Sequence, residues 1–370
     1  MTVRLVQSAL PVYRAAFLTE IARRVPGGVD VIVGDALFEA TVRTAELMPV
    51  PATRVRNLYL AGRRLLWQRR VFFPGVKADV AILELNPRIL TVWATVVARR
   101  ALRRPTILWG HAWPRRGRGA PTDRVRSLLR RQASVLVTYT ETQAQELRAA
   151  VPGRPVLAAP NALYPRADMT PLPVRQPLSF VFSGRLVPEK KPLLLVEAFA
   201  RMAEQLEDTR LVMIGSGPEA AKLHEAASGL GVTDRIDFPG SVTELSRLRS
   251  YYEHAIASVS PGCTGLSIVQ SLGFGIPIII SDLEPHGPEI EAAVQGFTAD
   301  FFEADSDASL GETLLKFYRS RDSWLARRDE FSAWCRARYS VEQSADRFAS
   351  AIRVALDANR PLSRDGSRAA

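Results

Sequence analysis

The sequence predicts an α/β protein with two doubly wound parallel sheets, one in each of two domains. Short runs rich in β-branched residues alternate with longer helical patterns, which is typical of parallel α/β architecture. A proline-rich segment interrupts this alternation, and a second strand–helix series begins after it. The chain holds 370 residues, whereas a single domain commonly holds about 100–200 residues. Two domains, each with its own core, are therefore expected.

The predicted strands fall into two groups. The first group is Val3–Val6, Val29–Val33, Val80–Leu83, Thr106–Trp109, Val135–Thr138 and Val156–Ala158. The second group is Leu178–Phe182, Leu211–Ile214, Ile236–Phe238, Ala255–Val259 and Ile276–Ile280. From Ser306 to about Asn359 the pattern is helical. Ligands of such sheets bind beyond the carboxyl ends of the strands, so a cleft between the two halves is the expected site.

Prolines mark the boundary between the two domains. They recur through residues 160–177, at Pro160, Pro165, Pro171, Pro173 and Pro177. A stretch of this kind forms a semi-rigid linker rather than a helix or a strand. We predict a first domain over 1–165, a linker over 166–177, a second domain over 178–340, a helix over 341–359 with the option of crossing back to the first domain, and a disordered tail over 360–370.

Composition narrows the compartment and the partners. Only Cys263 and Cys335 are present, in segments of different character, so a disulfide framework is not expected. No run of about 18 uncharged apolar residues predicts a membrane span, and the start of the chain lacks a signal-peptide cleavage pattern. These features predict a cytoplasmic protein whose mature chain begins near Met1. The formal net charge of +11 predicts attraction to polyanions such as nucleotides, nucleic acid or an anionic bilayer.

The strongest chemical signal follows the first strand of the second half, from Phe180 to Pro192. Gly184 permits a tight turn at the strand end, and Arg185 and Lys190 place two cations near the start of the next helix. Free amides at a helix start already favour an anion, so the combination suits a diphosphate. A solvated basic loop is the alternative, and this segment alone does not separate the two.

A second segment, from Val259 to Pro277, favours the phosphate-binding interpretation. A strand, a glycine-bearing loop and an apolar helix follow one another in it. Gly262 and Gly265 let backbone amides approach a ligand that a side chain would block. The helix then ends at Gly275, and a new strand follows.

Taken together, these segments resemble glycosyltransferase family 4, a retaining family with the GT-B fold. The shared motifs are Ser183-Gly184-Arg185-Leu186 with Glu189-Lys190, Ile214-Gly215-Ser216-Gly217-Pro218, Phe238-Pro239-Gly240-Ser241-Val242, Ser260–Pro277 and Pro288-Glu289. The resemblance covers the C-terminal half of the chain nearly completely. It implies two Rossmann-like domains facing across a cleft, and a nucleotide diphosphate sugar as the donor.

The resemblance also implies roles for individual residues of the second half. Arg185 and Lys190 would hold the donor pyrophosphate, and the backbone around Ser241 and Val242 would meet the nucleotide base. The donor phosphate and sugar would be lined by Gly262, Cys263, Thr264, Gly265 and Leu266.

The donor loop departs from the family pattern at two positions. The family commonly carries a pair of glutamates that align with Gly262 and Gln270 of this chain. Gln270 keeps a hydrogen-bonding group for the donor ribose, without a charge. Gly262 offers no side chain, so the contact of the first glutamate with the sugar must come from elsewhere. The Ser-Pro-Gly-x-x-Gly-Leu form of the loop resembles a branch of the family.

Two segments of the first half are candidates for catalysis and acceptor binding. His111 follows a predicted strand, where enzymes of this family often hold an imidazole near the transferred sugar; a structural role is the alternative. Pro11, Tyr13 and Arg14 resemble the acceptor-side loop of the same branch. Tyr13 stacks on an acceptor in one interpretation and packs against its own helix in the other.

The resemblance implies transfer with retention at the anomeric carbon, in which stabilisation of the departing diphosphate matters more than a protein nucleophile. It implies neither an organic cofactor nor a divalent metal, because the nucleotide sugar is a co-substrate. Asp305-Ser306-Asp307 looks like an acidic metal site. It lies at a predicted helix start, however, where capping of free amides is the favoured interpretation.

The segment from Arg56 to Phe73 is predicted as a helix with two contrasting faces. On a helical wheel, one face holds Leu58, Ala61, Leu65 and Phe72, and the opposite face holds Arg56, Arg63 and Arg70, with Leu60 and Trp67 beside them. Such a helix suits the surface of an anionic membrane. A solvated charged face with Trp67 packed inward is the slightly favoured alternative.

The predicted function is a retaining glycosyltransferase with a glycan, lipid-linked or natural-product acceptor, in the cytoplasm or peripherally on the inner face of the plasma membrane. A nucleotide-sugar epimerase or phosphorylase is the first alternative, but few acidic and histidine groups are expected in the cleft, which favours transfer. A nucleic-acid partner is not expected, since no zinc spacing or aromatic stacking motif supports one. High Arg and Ala usage favours a bacterial gene for polysaccharide, glycoconjugate or secondary-metabolite synthesis.

Overall fold

The computed structural model describes residues 1–38, 44, 46, 50–114 and 116–358. They form two compact units. The first unit holds residues 1–160 and the chain from residue 341 onward, and the second unit holds residues 161–340. The predicted tail over 360–370 lies outside the described residues.

The first unit is a parallel sheet with helices on both faces. Its strands are β1 Val3–Gln7, β2 Val29–Val33, β3 Ala52–Arg54, β4 Asn57–Leu60, β5 Leu65–Gln68, β6 Val80–Glu84, β7 Thr106–Trp109, β8 Val135–Thr138 and β9 Val156–Ala158. The helices interleaved with them are α1 Ala15–Arg24, α2 Phe72–Lys77, α3 Leu90–Ala101, α4 Pro121–Arg130 and α5 Glu141–Ala150. Among the described residues the main sheet has the order β3-β2-β1-β6-β7-β8-β9. Because β1 lies beside β6, the direction of winding reverses there, and a crevice opens at the carboxyl ends of these two strands.

The second unit repeats this plan on a smaller sheet. Its strands are β10 Ser179–Ser183, β11 Arg210–Ile214, β12 Ile236–Gly240, β13 Ala255–Ser260, β14 Ile278–Ser281 and β15 Ala299–Phe302. Its helices are α6 Pro192–Met202, α7 Ala220–Gly229, α8 Leu245–Tyr252, α9 Leu266–Gly273, α10 Asp307–Arg319, α11 Arg321–Leu325 and α12 Arg328–Tyr339. The strand order β12-β11-β10-β13-β14-β15 is that of a dinucleotide-binding fold, with the reversal between β10 and β13.

These two sheets confirm the predicted fold class of doubly wound parallel domains. Each predicted strand is present within a residue or two of its expected ends. The strands that the sequence did not reveal are β3, β4, β5 and β15, of which β3 and β15 lie at sheet edges. Edge strands carry a weaker apolar signal, and the burial pattern of β3 contains no fully buried residue.

The last helix, α13 Val341–Asp357, belongs to the first unit and packs along α1. Phe348 is fully buried, with its ring 5.0 Å from Phe17 and 4.8 Å from Trp109. The apolar face of α13 therefore completes the core on one side of the first sheet.

The proline-rich segment predicted as a linker packs onto the second unit. Met169 and Leu172 are buried there, in clusters with residues of α9, α12 and β11. The chain leaves the first unit at residue 160, before this segment begins.

The predicted helix over residues 56–73 is wrong. β4 and β5 form an antiparallel hairpin there, with Leu60 paired to Leu65. Residues 61–63 all have positive φ angles, between 50° and 62°, which an α-helix does not contain. Along β5, Leu66 and Gln68 are buried while their neighbours are not fully so, which gives the period of two that a strand requires.

In the hairpin, Arg63 is bound by protein groups. The guanidinium of Arg63 lies 3.8 Å from the centre of the Tyr59 ring and donates hydrogen bonds to the carbonyls of Leu37 and Phe38. This segment therefore has no helical basis for the membrane contact that the wheel suggested. Among the helices of the described residues, none combines the length and the apolarity that crossing a bilayer requires.

Shortening Phe348 tests the packing of α13. Phe348→Ala is expected to reduce the free energy of unfolding of the first unit by about 3–5 kcal/mol, because it leaves a cavity between α1 and the sheet. Urea denaturation followed by tryptophan fluorescence measures this. Arg353→Ala, an exposed change on the same helix, is the control and is expected to cost less than about 0.5 kcal/mol. Equal losses in the two variants would contradict this packing.

Candidate functional site

The second unit brings both sequence motifs to one place. The segment from Gly184 to Lys191 follows β10, and the segment from Pro261 to Gly265 follows β13. Since these two strands flank the reversal in winding, their loops border the crevice where ligands of such sheets bind. We call these segments the β10 loop and the β13 loop.

Gly262 is the point at which the two loops touch. A Cβ atom at this position would lie 2.6 Å from the carbonyl carbon and 2.8 Å from the Cα of Lys190, and closer still to the carbonyl oxygen of Glu189. The amide of Cys263 donates a hydrogen bond to that same Glu189 oxygen at 3.1 Å. Backbone thus packs on backbone, and no side chain larger than hydrogen fits.

Lys190 ties the β10 loop to the β13 loop a second time. Its Nζ donates to the carbonyl oxygen of Cys263 at 2.6 Å. Burial, together with the positive charge of Arg185, lowers the pKa of the Lys190 ammonium. Arg185 is exposed. Two cations that repel each other at the mouth of a crevice would both be stabilised by an anion placed between them.

A loop after β14 holds the β13 loop from its other side. The amide of Thr264 donates to Nδ1 of His286 at 3.2 Å, and the carbonyl of Thr264 accepts from the amide of Gly287 at 2.6 Å. Because a backbone N–H can only donate, Nδ1 of His286 carries no proton, and Nε2 donates to the carbonyl of Ser281 at 2.9 Å. Burial lowers the pKa of His286, which favours this neutral form.

A buried carboxylate lies close to the β13 loop. Glu289 is 5% exposed and accepts a hydrogen bond from Asn161 at 2.8 Å. Its other oxygen lies close to two glycines, since a Cβ at Gly265 would be 3.2 Å from it and one at Gly287 nearer still. The sequence placed Glu289 only within a shared motif. In the structure it supports the loop that lacks an acidic residue at Gly262.

Gln270, the second departure from the family pattern, is bound by protein groups. Its Nε2 donates to the hydroxyls of Tyr252 at 2.9 Å and Ser183 at 3.2 Å, and its Oε1 accepts from Tyr164 at 3.2 Å. The residue is 9% exposed. These bonds use both amide hydrogens and one acceptor site, so a ribose contact would draw on the remaining lone pair. That role stays a prediction.

Ser241 and Val242 lie at the same edge of the sheet as the β10 loop, to which they are connected through the loop after β11. They follow β12, and the carbonyl of Gly240 accepts from the amide of Gly215 at 2.9 Å. Gly215 has φ +153° and lies against the backbone of Gly184, so only glycine suits it. Ser241 is exposed and Val242 is half-buried. The loops after β10, β11 and β12 thus contact one another in sequence.

The first unit groups its predicted residues around one tyrosine. The Arg14 guanidinium lies 3.4 Å from the hydroxyl of Tyr139 and 4.4 Å from the centre of the Trp109 ring. The His111 ring is 4.8 Å from that of Tyr139. Pro11 and Tyr13 precede Arg14 in the short connection between β1 and α1, and both are half-buried. All of these residues lie at the carboxyl edge of the sheet.

Glu84 is a candidate that the sequence analysis missed. It is the last residue of β6, beside β1, and therefore lies at the reversal point of the first sheet. Its carboxylate accepts a hydrogen bond from the amide of Ser8. Burial raises the pKa of Glu84, while the bond from Ser8 and the charge of Arg14 act in the opposite direction. Its position directly after a buried apolar run is the sequence feature that could have identified it as a site residue.

The acidic pair after β15 serves the helix that follows. Ser306 caps α10, accepting from the amide of Ser309 at 3.1 Å. Asp305 pairs with Lys191 at 2.5 Å, and Asp307 pairs with Arg201 at 2.5 Å. Among the described residues, no group of three or more His, Cys, Asp or Glu side chains is placed to hold a metal ion. Both cysteines are free thiols.

The sequence of the second unit matches a known family. The family model described as glycosyl transferases group 1 matches residues 171–331. This range contains both loops, His286 and Glu289.

Curated relatives match over a similar part of the chain. One is a GDP-mannose-dependent α-(1-6)-phosphatidylinositol dimannoside mannosyltransferase of Mycobacterium tuberculosis, 30% identical over 164 residues, which are 44% of this chain and 42% of that protein. Another is the GtfA subunit of a UDP-N-acetylglucosamine–peptide N-acetylglucosaminyltransferase of Streptococcus pneumoniae, 33% identical over 126 residues, 33% of this chain and 24% of that protein. The matches span less than half the length of either relative.

A solved structure shares the fold of most of the chain. HepE of Anabaena, solved in complex with UDP, superposes with a TM-score of 0.70 over 95% of this chain and 99% of its own, at 16% identity. The fold is GT-B. In GT-B terms, the second unit is the C-terminal Rossmann-like domain, and α13 returns the chain to the N-terminal one.

Adding one methyl group at Gly262 tests the contact between the loops. Gly262→Ala is expected to cost about 1–3 kcal/mol of stability, because the backbone of Glu189 and Lys190 must shift. Gly229→Ala is the matched control, since a Cβ at Gly229 in α7 meets nothing within 4 Å. That change is expected to be neutral or to stabilise by about 0.5–1 kcal/mol. Chemical denaturation measures both, and equal effects would contradict the contact.

The hydrogen bond from Thr264 to His286 predicts a pH dependence of stability. The pKa of His286 is lower in the folded chain than the ordinary value of about 6.5, so the unfolded chain binds more protons as the pH falls through that value. Stability contributed by neutral His286 is therefore present above about pH 6.5 and lost on acidification. Asn at this position does not titrate.

Melting temperatures from about pH 7.5 to about pH 5.5 test this dependence. His286→Asn is expected to lose less stability over this range than the unaltered chain. His224→Asn, on an exposed position of α7, is the control and is expected to change the pH profile less. A His286→Asn profile parallel to that of the unaltered chain would contradict the assignment.

Proposed function

We propose that this chain is a glycosyltransferase that moves a sugar from a nucleotide diphosphate sugar to an acceptor hydroxyl. One observation carries the proposal: Arg185 and Lys190 lie at the reversal point of the second sheet, and Lys190 is bonded directly to the β13 loop. Two cations beside a glycine-bearing loop suit a pyrophosphate. The family match over residues 171–331 supports this assignment.

The same groups suit the chemistry of sugar transfer. As the bond from the anomeric carbon to the diphosphate breaks, negative charge builds on the leaving phosphate. The Lys190 ammonium has three donors, of which the carbonyl of Cys263 takes one. The other donors, with Arg185 and the amides of the β13 loop, are suited to stabilise that charge. Because its bond to Cys263 holds the Lys190 ammonium before the substrate arrives, little reorganisation of this group is needed.

Finer features of the reaction rest on the resemblance to family 4. We propose retention at the anomeric carbon and no requirement for a metal ion, with the nucleotide sugar as co-substrate. The relatives named above use GDP-mannose and UDP-N-acetylglucosamine, and HepE was solved with UDP. A UDP or GDP sugar is accordingly the proposed donor, and a glycan, lipid-linked or natural-product hydroxyl the proposed acceptor.

The first unit is proposed to bind the acceptor. Arg14, Tyr139, His111 and Glu84 cluster at the carboxyl edge of its sheet, and together they offer donors, an acceptor and aromatic surface to a hydroxyl-rich molecule. The bond from Ser8 fixes the orientation of the Glu84 carboxylate. We propose a cytoplasmic location, with peripheral contact to the inner face of the membrane.

Removing either cation tests the proposed function. After a thermal-shift screen of UDP and GDP sugars has identified the donor, Lys190→Ala and Arg185→Ala are each expected to reduce transfer on the order of 10²–10³-fold. Lys222→Ala, an exposed lysine of α7, is the charge-matched control and is expected to retain activity. Release of the nucleoside diphosphate and chromatography of the sugar product distinguish transfer from epimerisation.

Two results would contradict parts of this proposal. Turnover at the control rate in both cation variants, with unchanged melting temperatures, would remove the phosphate assignment. Loss of transfer in EDTA, restored by added Mg²⁺, would contradict the proposed independence from metal.

A further inference from the structure

The first unit exposes four apolar side chains on α3, the turn after it, and α4. Val97 and Leu102 belong to α3 and the turn after it, and Val125 and Leu128 belong to α4. Their exposed fractions lie between 47% and 58%. The opposite sides of both helices supply buried residues to a single cluster, so these four side chains are not needed for the core. Val125 and Leu128, three residues apart, lie on the same side of α4, and exposed apolar side chains grouped in this way are typical of a binding surface.

The same face carries a dense group of arginines. Two adjoining open grooves, of about 530 and 280 Å³, share Arg100, Gln132 and Arg154 among their lining residues. The other arginines that line them are Arg103, Arg104 and Arg131. Leu128 borders the larger groove. Within the described chain, neither groove is lined by an acidic residue. We call these four apolar residues and five arginines the α3–α4 face.

Three of the five arginines of this face are held by neutral oxygen atoms. Arg100 donates to the side-chain oxygen of Gln132 at 2.8 Å, Arg104 donates to the carbonyl of Ala78 at 3.2 Å, and Arg154 donates to the carbonyl of Arg131 at 2.8 Å. Such bonds orient the guanidinium groups without neutralising them. Burial and the charge of Arg100 lower the pKa of Arg154, so the positive charges oppose one another. An anionic partner would relieve this repulsion.

We infer that the α3–α4 face docks the protein on an anionic phospholipid surface. A lipid headgroup layer offers phosphates to Arg100, Arg103 and Arg131, and the acyl boundary beneath offers an apolar medium to Leu102 and Leu128. A nucleic acid or a soluble polyanion meets the arginines but gives the exposed apolar side chains no favourable environment. The combination therefore favours a membrane.

The position of this face leaves the candidate acceptor site open. Arg104, Ser134 and Arg154 precede β7, β8 and β9, so the face lies at the amino edge of the first sheet. Arg14 and Glu84 lie at the opposite, carboxyl edge. A membrane bound at the amino edge does not cover these groups. The inference concerns binding and not transfer, so it stands or falls independently of the proposed reaction.

Two variants of the full chain test the inference by co-sedimentation with vesicles. Arg100→Glu/Arg103→Glu/Arg131→Glu reverses charge on the face. Arg23→Glu/Arg347→Glu/Arg353→Glu is the control on exposed positions of α1 and α13, on the other side of the same sheet. Each triple variant lowers the formal net charge from +11 by six, to +5. The probes are phosphatidylcholine vesicles with and without phosphatidylglycerol.

The unaltered chain is expected to bind the vesicles that contain phosphatidylglycerol and not the neutral ones. The α3–α4 variant is expected to bind these vesicles at least about 100-fold more weakly than the unaltered chain. The control variant is expected to be much less affected. Equal binding of the two triple variants, or equal binding of the unaltered chain to both kinds of vesicle, would overturn the inference. Melting temperatures show that the variants fold.

A second variant distinguishes binding to a membrane from binding to a soluble polyanion. Leu102→Ser/Leu128→Ser keeps every charge and alters only exposed side chains. It is expected to weaken vesicle binding on the order of 10-fold or more, while its salt-dependent retention on heparin stays unchanged. Unchanged vesicle binding in this variant would mean that the arginines alone bind phosphate polyanions, and would overturn the membrane assignment.

Discussion

The candidate site of the second unit depends on one close approach of backbone to backbone. At Gly262 the loop after β13 touches the loop after β10, with a hydrogen bond from the amide of Cys263 to Glu189 beside it. That approach brings the carbonyl of Cys263 within reach of Lys190. The cations of one loop and the amides of the other thus form a single site only because position 262 lacks a side chain.

This constraint also explains the missing acid of the donor loop. A glutamate at position 262 would meet the backbone of Glu189 and Lys190, so the two loops could not pack as they do. The carboxylate of Glu289 is instead bound to Asn161 and lies close to Gly265 of the loop. A carboxylate is therefore still present next to the loop, but it is supplied by Glu289 and not by residue 262. The direct sugar contact expected of that family position therefore has no equivalent at residue 262.

The sequence predicted those parts of the structure whose signals are local. Buried strands can be recognised as apolar runs between turn residues, and these runs predicted both doubly wound sheets. The hairpin of β4 and β5 did not, because its leucines and arginines also satisfy a helical wheel, and the positive φ angles at residues 61–63 carry a weak sequence signal. Gly262 was expected to admit a ligand, which stays a prediction; that it also admits another loop was not foreseen. Glu84 and the bond from Thr264 to His286 join residues distant in sequence, and a single sequence does not reveal such pairs.

The return of α13 to the first unit has a consequence for biosynthesis. The N-terminal sheet is synthesised before the second unit, yet the helix that covers Phe17 and Trp109 is synthesised only after the entire second unit. Until Phe348 has been synthesised, the side of the first sheet that α13 covers remains exposed to solvent. The later-encoded half can complete its own core first. The core of the first unit therefore cannot be completed until the second unit has been synthesised.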